Sequence, residues 1–255
     1  MDPGEAALLL AAGLAAGTVN AVAGGGSLVT FPTLLATGLP PVAANVTNSI
    51  AVFPGYLGSV AGSRADLAGQ GRRVRQLLPT AAAGSLAGAG LLLVTPERAF
   101  ELIVPFLVLG ASATLAFQDR LRRLVGQPHQ LSPRRATGYL HAMVGLAAVY
   151  GGYFGAALGV MLVAMIALVL DETLARVSAL KNLASAVVGL VTVVVFALFG
   201  PVDWLAVAVV APATVIGGYG GARLARRLPD TVWKVTIVGF GTVVGLILMA
   251  QAFRS

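Results

Sequence analysis

Ser178, Lys181, Asn182 and Ser185 fall at i, i+3, i+4 and i+7 of a run that stays apolar to Phe199, so on a helix they share one face. A lysine among side-chain amides and hydroxyls is an anion-binding chemistry. A charge inside an apolar segment costs about 2.5 to 3.5 kcal/mol when central, so Lys181 needs a reason to be there. Asn45, Asn48 and Ser49 make a second polar face in an earlier apolar run. A third concentration is Asn20-Ala-Val-Ala-Gly24-Gly25-Gly26-Ser27, followed by Pro32. Three successive glycines loosen a helix and bare its amides, and broken helices at membrane depth line cavities. We therefore expect Asn20, Gly24, Gly25, Gly26, Ser27, Asn45, Asn48, Ser49, Ser178, Lys181 and Asn182 to bind substrate.

Each assignment has a plainer competitor. Lys181 lies ten residues after Asp171, close enough to a segment end to snorkel to headgroups. Asparagines between helices serve as interhelical hydrogen-bonding groups, and spaced glycines such as Gly84 with Gly88, or Gly217 with Gly221, let helices approach closely. Packing accounts poorly for three glycines in succession.

The elements that must position these residues are membrane helices. Of 255 residues 57% are hydrophobic and 11% charged, with mean hydropathy +0.88, where a soluble domain has about 25% charged. Val177 to Phe199, Leu205 to Ala222 and Val232 to Phe253 approach the roughly 20 residues of a spanning helix. The acidic start, Asp2 and Glu5, is unlike the basic start of a secretory signal. The net charge of +7 sits in short loops between apolar segments, which argues for topology signals and against nucleic acid. Without cysteine there is no disulfide or thiolate nucleophile, and two histidines leave little for a transition metal, so no metal or cofactor is expected.

The chain repeats itself. At a register of 134 residues Gly17, Gly25, Leu28, Val29, Asn48 and Gly55 meet Gly151, Gly159, Leu162, Val163, Asn182 and Gly189; after a one-residue slip Pro79, Gly84, Gly88 and Pro96 meet Pro212, Gly217, Gly221 and Pro229. Loop charge relates the halves. Residues 62 to 75 carry Arg64, Arg72, Arg73 and Arg75, while their counterpart, Gly200 to Asp203, carries no base; Thr95 to Arg98 is nearly neutral, while its partner carries Arg223, Arg226 and Arg227. Basic loops stay cytoplasmic, so the repeats are inverted, with an odd number of crossings each and both termini external.

The expected architecture is all-α and polytopic: a first repeat over 1–118, a cytoplasmic basic linker over 119–137 and a second repeat over 138–255, integrated into one transmembrane domain. Each repeat holds a glycine-broken pair (5–23 and 27–38; 138–152 and 154–170) and three fuller helices (42–61, 76–94 and 99–117; 177–199, 204–222 and 232–252). The paired pieces read as short, which favours a re-entrant hairpin over two spans.

Carboxylates lie at segment ends or in loops and none at a midplane, so the substrate is expected to be an anion rather than a cation. His141 is a candidate proton-coupling group, and Tyr150 and Tyr153, flanking a second break at Gly151-Gly152, are candidate gates; interfacial placement is the plainer account of all three.

Gly17-x-x-Asn20-x-x-x-Gly-Gly-Gly-Ser27, Pro32 and Asn45-x-Thr-Asn48-Ser49, with a looser second copy in which Ala157-Leu-Gly159-Val replaces the glycine run, resemble the TauE/SafE sulfite exporter family. The resemblance covers nearly the whole chain. It implies a multi-pass permease of a bacterial or archaeal cytoplasmic membrane that moves sulfite, an organosulfonate or a related sulfur oxyanion. Alternating access at a midplane site is the expected mechanism. An anion channel, an intramembrane hydrolase using Ser178 or Ser185 with Lys181, and a scaffold are the rivals. The expected partners are the anion and the lipid bilayer, with self-association left open.

Overall fold

The computed structural model describes residues 1–22, 25–117, 119–120, 133–170, 172–224 and 230–253. Among these, ten helices follow in order: α1 (Pro3–Val22), α2 (Ser27–Ala36), α3 (Pro41–Gly62), α4 (Gly71–Val94), α5 (Glu97–Ala116), α6 (Pro133–Tyr153), α7 (Leu158–Val169), α8 (Leu174–Phe199), α9 (Trp204–Leu224) and α10 (Asp230–Ala252). A 3-10 turn at Arg64–Leu67 joins α3 to α4. Local chemistry sets the ends. Pro41 takes the first turn of α3, where a missing N–H is harmless, and Thr173 caps α8 by accepting from the Arg176 amide.

The protein is a multi-pass membrane protein. By length and composition α4, α5, Ala175–Phe199 of α8 and Val235–Ala252 of α10 are each able to cross a bilayer; α2, α7 and Trp204–Tyr219 of α9 supply shorter apolar stretches.

Close contacts fix the direction of each helix. The Asp203 amide donates to Thr47 Oγ1 (3.0 Å), so α3 begins at the end of the bundle where α9 begins. A β-carbon on Gly13 would meet Val210 and Ala213, and one on Gly17 would meet Thr214 and Gly218, so α1 runs parallel to α9 and starts at that same end. At the opposite end, Arg73 at the start of α4 pairs with Glu172, just before α8. Gly84 abuts Gly145 and Ala148, and Gly88 abuts Val149 and Tyr153, so α6 runs parallel to α4 and starts at the Glu172 end. Hence α1 with α2, and α6 with α7, each enter and leave by one end, as a re-entrant hairpin and a pair of full spans alike would. α5 and α10 pack antiparallel, with Gly241 against Ser112 and Gly245 against Leu109.

Two expectations need correction. The first members of the pairs are not short: α1 has 20 residues and α6 has 21, about 30 Å each, whereas α2 has 10 and α7 has 12. Nor does the second break fall at Gly151-Gly152. Helix α6 continues to Tyr153, and the chain reverses through Gly155 (φ 77°) and Ala157 (φ 57°). The glycine pair is used for packing instead: a β-carbon on Gly152 would collide with the Ser85 carbonyl of α4, and one on Gly151 would stand 2.7 Å from Leu158.

Candidate functional site

The first break is held by a side chain. Asn20 Oδ1 accepts from the Gly26 amide (2.8 Å), tying the last turn of α1 to the residue that precedes α2. The space there is closed to a side chain, because a β-carbon on Gly26 would strike the Ala16 carbonyl and the Asn20 amide. Gly25 and Gly26 are buried, and Gly24 lies outside the described residues. Ser27, also buried, opens α2.

The second break is closed by Tyr150, whose hydroxyl donates to the Ala156 carbonyl (2.6 Å). Phe154 packs edge-on against Phe31 of α2 (centroids 5.2 Å), and Tyr153 against Phe100 of α5 (5.7 Å). These rings join both breaks to α5. Asn45 binds the same region, donating from Nδ2 to the Tyr153 carbonyl (2.8 Å).

Between the breaks lies a cavity of about 20 Å³, with Ser27 of α2, Ser49 and Tyr56 of α3, Gly151 and Gly155 of the second break, and Thr192 of α8 in its wall. That volume holds about one water. Ser49 Oγ donates to the Asn45 carbonyl (2.8 Å) and Thr192 Oγ1 to the Gly189 carbonyl (2.9 Å). Beyond Gly189, Phe53 and Tyr56 crowd α8: a β-carbon there would be 2.7 Å from one ring and 3.0 Å from the other.

Lys181, half-buried on α8, extends along the start of α7. A β-carbon on Gly159 would lie 3.4 Å from its Cδ and 3.7 Å from its Nζ. The lysine is therefore directed to the first turn of a half-length helix that starts at the second break, where the helix dipole gives a positive end. Two positive features meet inside an apolar bundle, an arrangement that stabilises an anion.

The remaining expected residues divide. Asn48, buried, accepts a hydrogen bond from the Thr30 hydroxyl and so fastens α3 to α2. Asn182 donates to the Ser59 carbonyl (3.2 Å) and to Ser63 Oγ (3.0 Å), fastening α8 to the end of α3. Ser178 is half-buried one turn before Lys181. His141 bonds locally, Nδ1 to the Thr137 carbonyl (2.8 Å), about 15 Å along α6 from Gly151. It stands apart from the cavity. Sequence reasoning missed Tyr56, Gly189 and Thr192; the last two continue the Lys181, Ser185 spacing by further helical turns, which was the available signal.

Towards the Glu172 end the arrangement closes with charge. Arg73 and Arg176 both pair with Glu172, the latter at 2.7 Å, and Arg176 also donates to the Ala68 carbonyl (3.1 Å). Buried Gln70 donates to the carbonyls of Asp66 (2.8 Å) and Arg176 (3.2 Å). The hydrogen bond from Arg73, reinforced by Arg176, holds the Glu172 carboxyl below its ordinary value.

Residues 9–248 match the model of the sulfite exporter TauE/SafE family. A probable membrane transporter protein of Haemophilus influenzae is 26% identical over 238 residues, covering 91% of this chain and 89% of its own. The probable membrane transporter protein YfcA of Escherichia coli is 27% identical over 223 residues, covering 84% and 76%. A probable membrane transporter protein, ORF9, of a Sinorhizobium species is 30% identical over 156 residues, covering 60% and 57%. No solved structure matches. With its matched span taking in every helix of the bundle, the chain is a member of the sulfite exporter TauE/SafE family.

Proposed function

We propose that this protein is a secondary transporter that carries a small sulfur oxyanion, sulfite or an organosulfonate, across the cytoplasmic membrane by alternating access. The observation that carries the reading is the direction of Lys181. Its ammonium lies beside Gly159 at the positive end of α7, in an apolar bundle where placing a charge is costly and calls for a use. Family membership and the transporter names of the relatives point the same way.

The helix directions support the inverted-repeat reading, with 1–118 and 138–255 as the two halves and 119–137 between them. The first half begins at the Asp203 end and the second at the Glu172 end. The pair α1 with α9 has its counterpart in α6 with α4, while α3 packs on α8 and α5 on α10. The start of α4, with Arg72, Arg73 and Arg75, lies at the Glu172 end, which makes that end cytoplasmic by the rule that basic segment ends stay inside. Alternation then consists of opening the rings at Phe31, Phe100, Tyr153 and Phe154 in one state, and the Glu172 and Asn182 contacts in the other.

Carriage fits better than a channel. The space between the breaks is too small for a sulfur oxyanion to pass, so the anion crosses only after one side moves. Proteoliposomes offered labelled sulfite, sulfate, thiosulfate and sulfoacetate, with and without imposed ion gradients, test this. Saturable uptake of sulfite or the sulfonate is expected. Flux that never saturates indicates a channel, and no flux of any of the four refutes the substrate class.

A further inference from the structure

We propose that the small cavity between the two breaks is a binding site for a dehydrated monovalent cation of sodium's size, carried together with the anion; the co-transport clause rests on the transport reading above, and the binding site does not. The placement of hydroxyl protons sets the charge that the cavity favours. A hydroxyl has one proton and two lone pairs. Ser49 spends its proton on the Asn45 carbonyl and Thr192 spends its own on the Gly189 carbonyl, both within their own helices. What these two side chains offer the cavity is lone pairs, and the Ser27 and Tyr56 hydroxyls in the same wall are able to turn lone pairs to a cation as well. An anion needs donors; an array of oxygen acceptors suits a hard cation.

The end of α6 adds a carbonyl oxygen. The last carbonyls of a helix lack partners within it and carry the negative end of its dipole. In α6 the Tyr150 carbonyl is used by the amides of Phe154 and Gly155, and the Tyr153 carbonyl by Asn45. Gly151 and Gly155 both stand in the cavity wall, with the Gly151 carbonyl oxygen 3.0 Å from where a β-carbon of Gly155 would be. A carbonyl at a helix end with two hydroxyl oxygens and no carboxylate matches a monovalent cation better than a divalent one.

About 20 Å³ admits one water or one bare small ion and excludes an oxyanion of four or more heavy atoms. The nearest opposing charges are separable. The Gly26 amide at the start of α2 is occupied by Asn20, and Lys181 lies seven residues, about 10 Å, from Val188 in the wall. An anion beside Gly159, next to Leu158 in the cavity wall, would offset the charge of the bound cation. The walls come from α2, α3, the second break and α8, so an ion that holds them together favours the closed arrangement and couples its own entry to that of the anion.

The test uses sodium chloride alone as the probe. Thermal unfolding of the purified protein is followed in NaCl, KCl and choline chloride at equal ionic strength, alongside equilibrium binding of radioactive sodium. A saturable rise in Tm specific to sodium is expected. It should be lost in Ser49→Ala and in Thr192→Val, each of which keeps the backbone carbonyls and is checked for folding by circular dichroism and a monodisperse elution profile. Equal Tm in all three salts, or a sodium effect retained in both variants, means that the cavity holds a structural water only and overturns the proposal. Oxyanion flux in proteoliposomes should fall at least tenfold when choline replaces sodium. Flux that is equal in both overturns co-transport while leaving the transport reading standing, and sodium binding without any oxyanion flux upholds the cation site while removing that reading.

Discussion

Asn45 donates from Nδ2 to the carbonyl of Tyr153 at 2.8 Å, so a side chain of α3 completes the backbone of the break between α6 and α7, more than a hundred residues away in sequence. Asn45 is 1% exposed, and among the described residues its Oδ1 has no hydrogen-bond partner. Asn45→Ala leaves the Tyr153 carbonyl unpaired in an apolar setting and should cost about 1 to 3 kcal/mol. A lowered Tm in detergent is the expected result, and an unchanged Tm would show that the contact contributes nothing.

Ala157 adopts a left-handed conformation (φ 57°) that suits glycine, and it does so at 1% exposure directly before α7. Ala157→Gly should stabilise by about 1 kcal/mol through relief of that strain. Gly155→Ala should do the opposite, because φ is 77° and the added carbon would stand 3.0 Å from the Gly151 carbonyl. Thermal unfolding of the two variants should therefore bracket the parent.

Two glycines on one helix give a contrast. A β-carbon on Gly88 would collide with the Val149 carbonyl and force α4 from α6, whereas one on Gly90 meets nothing within 4 Å. Gly88→Ala should sharply reduce the yield of folded protein. Gly90→Ala should be neutral or stabilising by up to about 1 kcal/mol. Equal yields from both would remove the close-packing account of the α4 and α6 contact.

Much of this architecture was legible because bilayer physics leaves few options. The fuller helices were expected within a few residues of their ends, since proline, glycine and arginine loops stop an apolar run. The second break was misplaced for a definite reason. Gly151-Gly152 looks like a helix breaker, but small residues serve equally for close approach, and only the position of Ser85 on α4 decides between the two. Ala157 in a left-handed conformation has no signature in its residue type. The site was half legible. Lys181 was identifiable by its cost, and its direction towards Gly159 follows from the second break. Asn48 and Asn182 read either as ligands of the anion or as interhelical hydrogen-bonding groups, and each bridges two helices, a contact that spacing along one helix does not locate.

The Glu172 end should behave as a latch that is insensitive to physiological pH. Because Arg73 and then Arg176 lower the Glu172 pKa from 4.5, its stabilisation is fully present above that value and is lost as pH falls through the lowered one. Glu172→Gln should open the latch at neutral pH. In a chain with no native cysteine, Leu67→Cys reports this directly: labelling by a water-soluble maleimide should be several-fold faster with Glu172→Gln, and an equal rate would contradict the latch.

The central claim is that Lys181 holds the anion. Sulfite flux into proteoliposomes carrying Lys181→Gln, measured over a range of sulfite concentrations beside Lys181→Arg and the parent, tests it most directly. Loss of a charge-assisted contact of about 1.5 to 3 kcal/mol predicts a fall of roughly tenfold or more in kcat/KM for Lys181→Gln, with partial recovery in Lys181→Arg. Flux through Lys181→Gln at the parental rate would contradict the account.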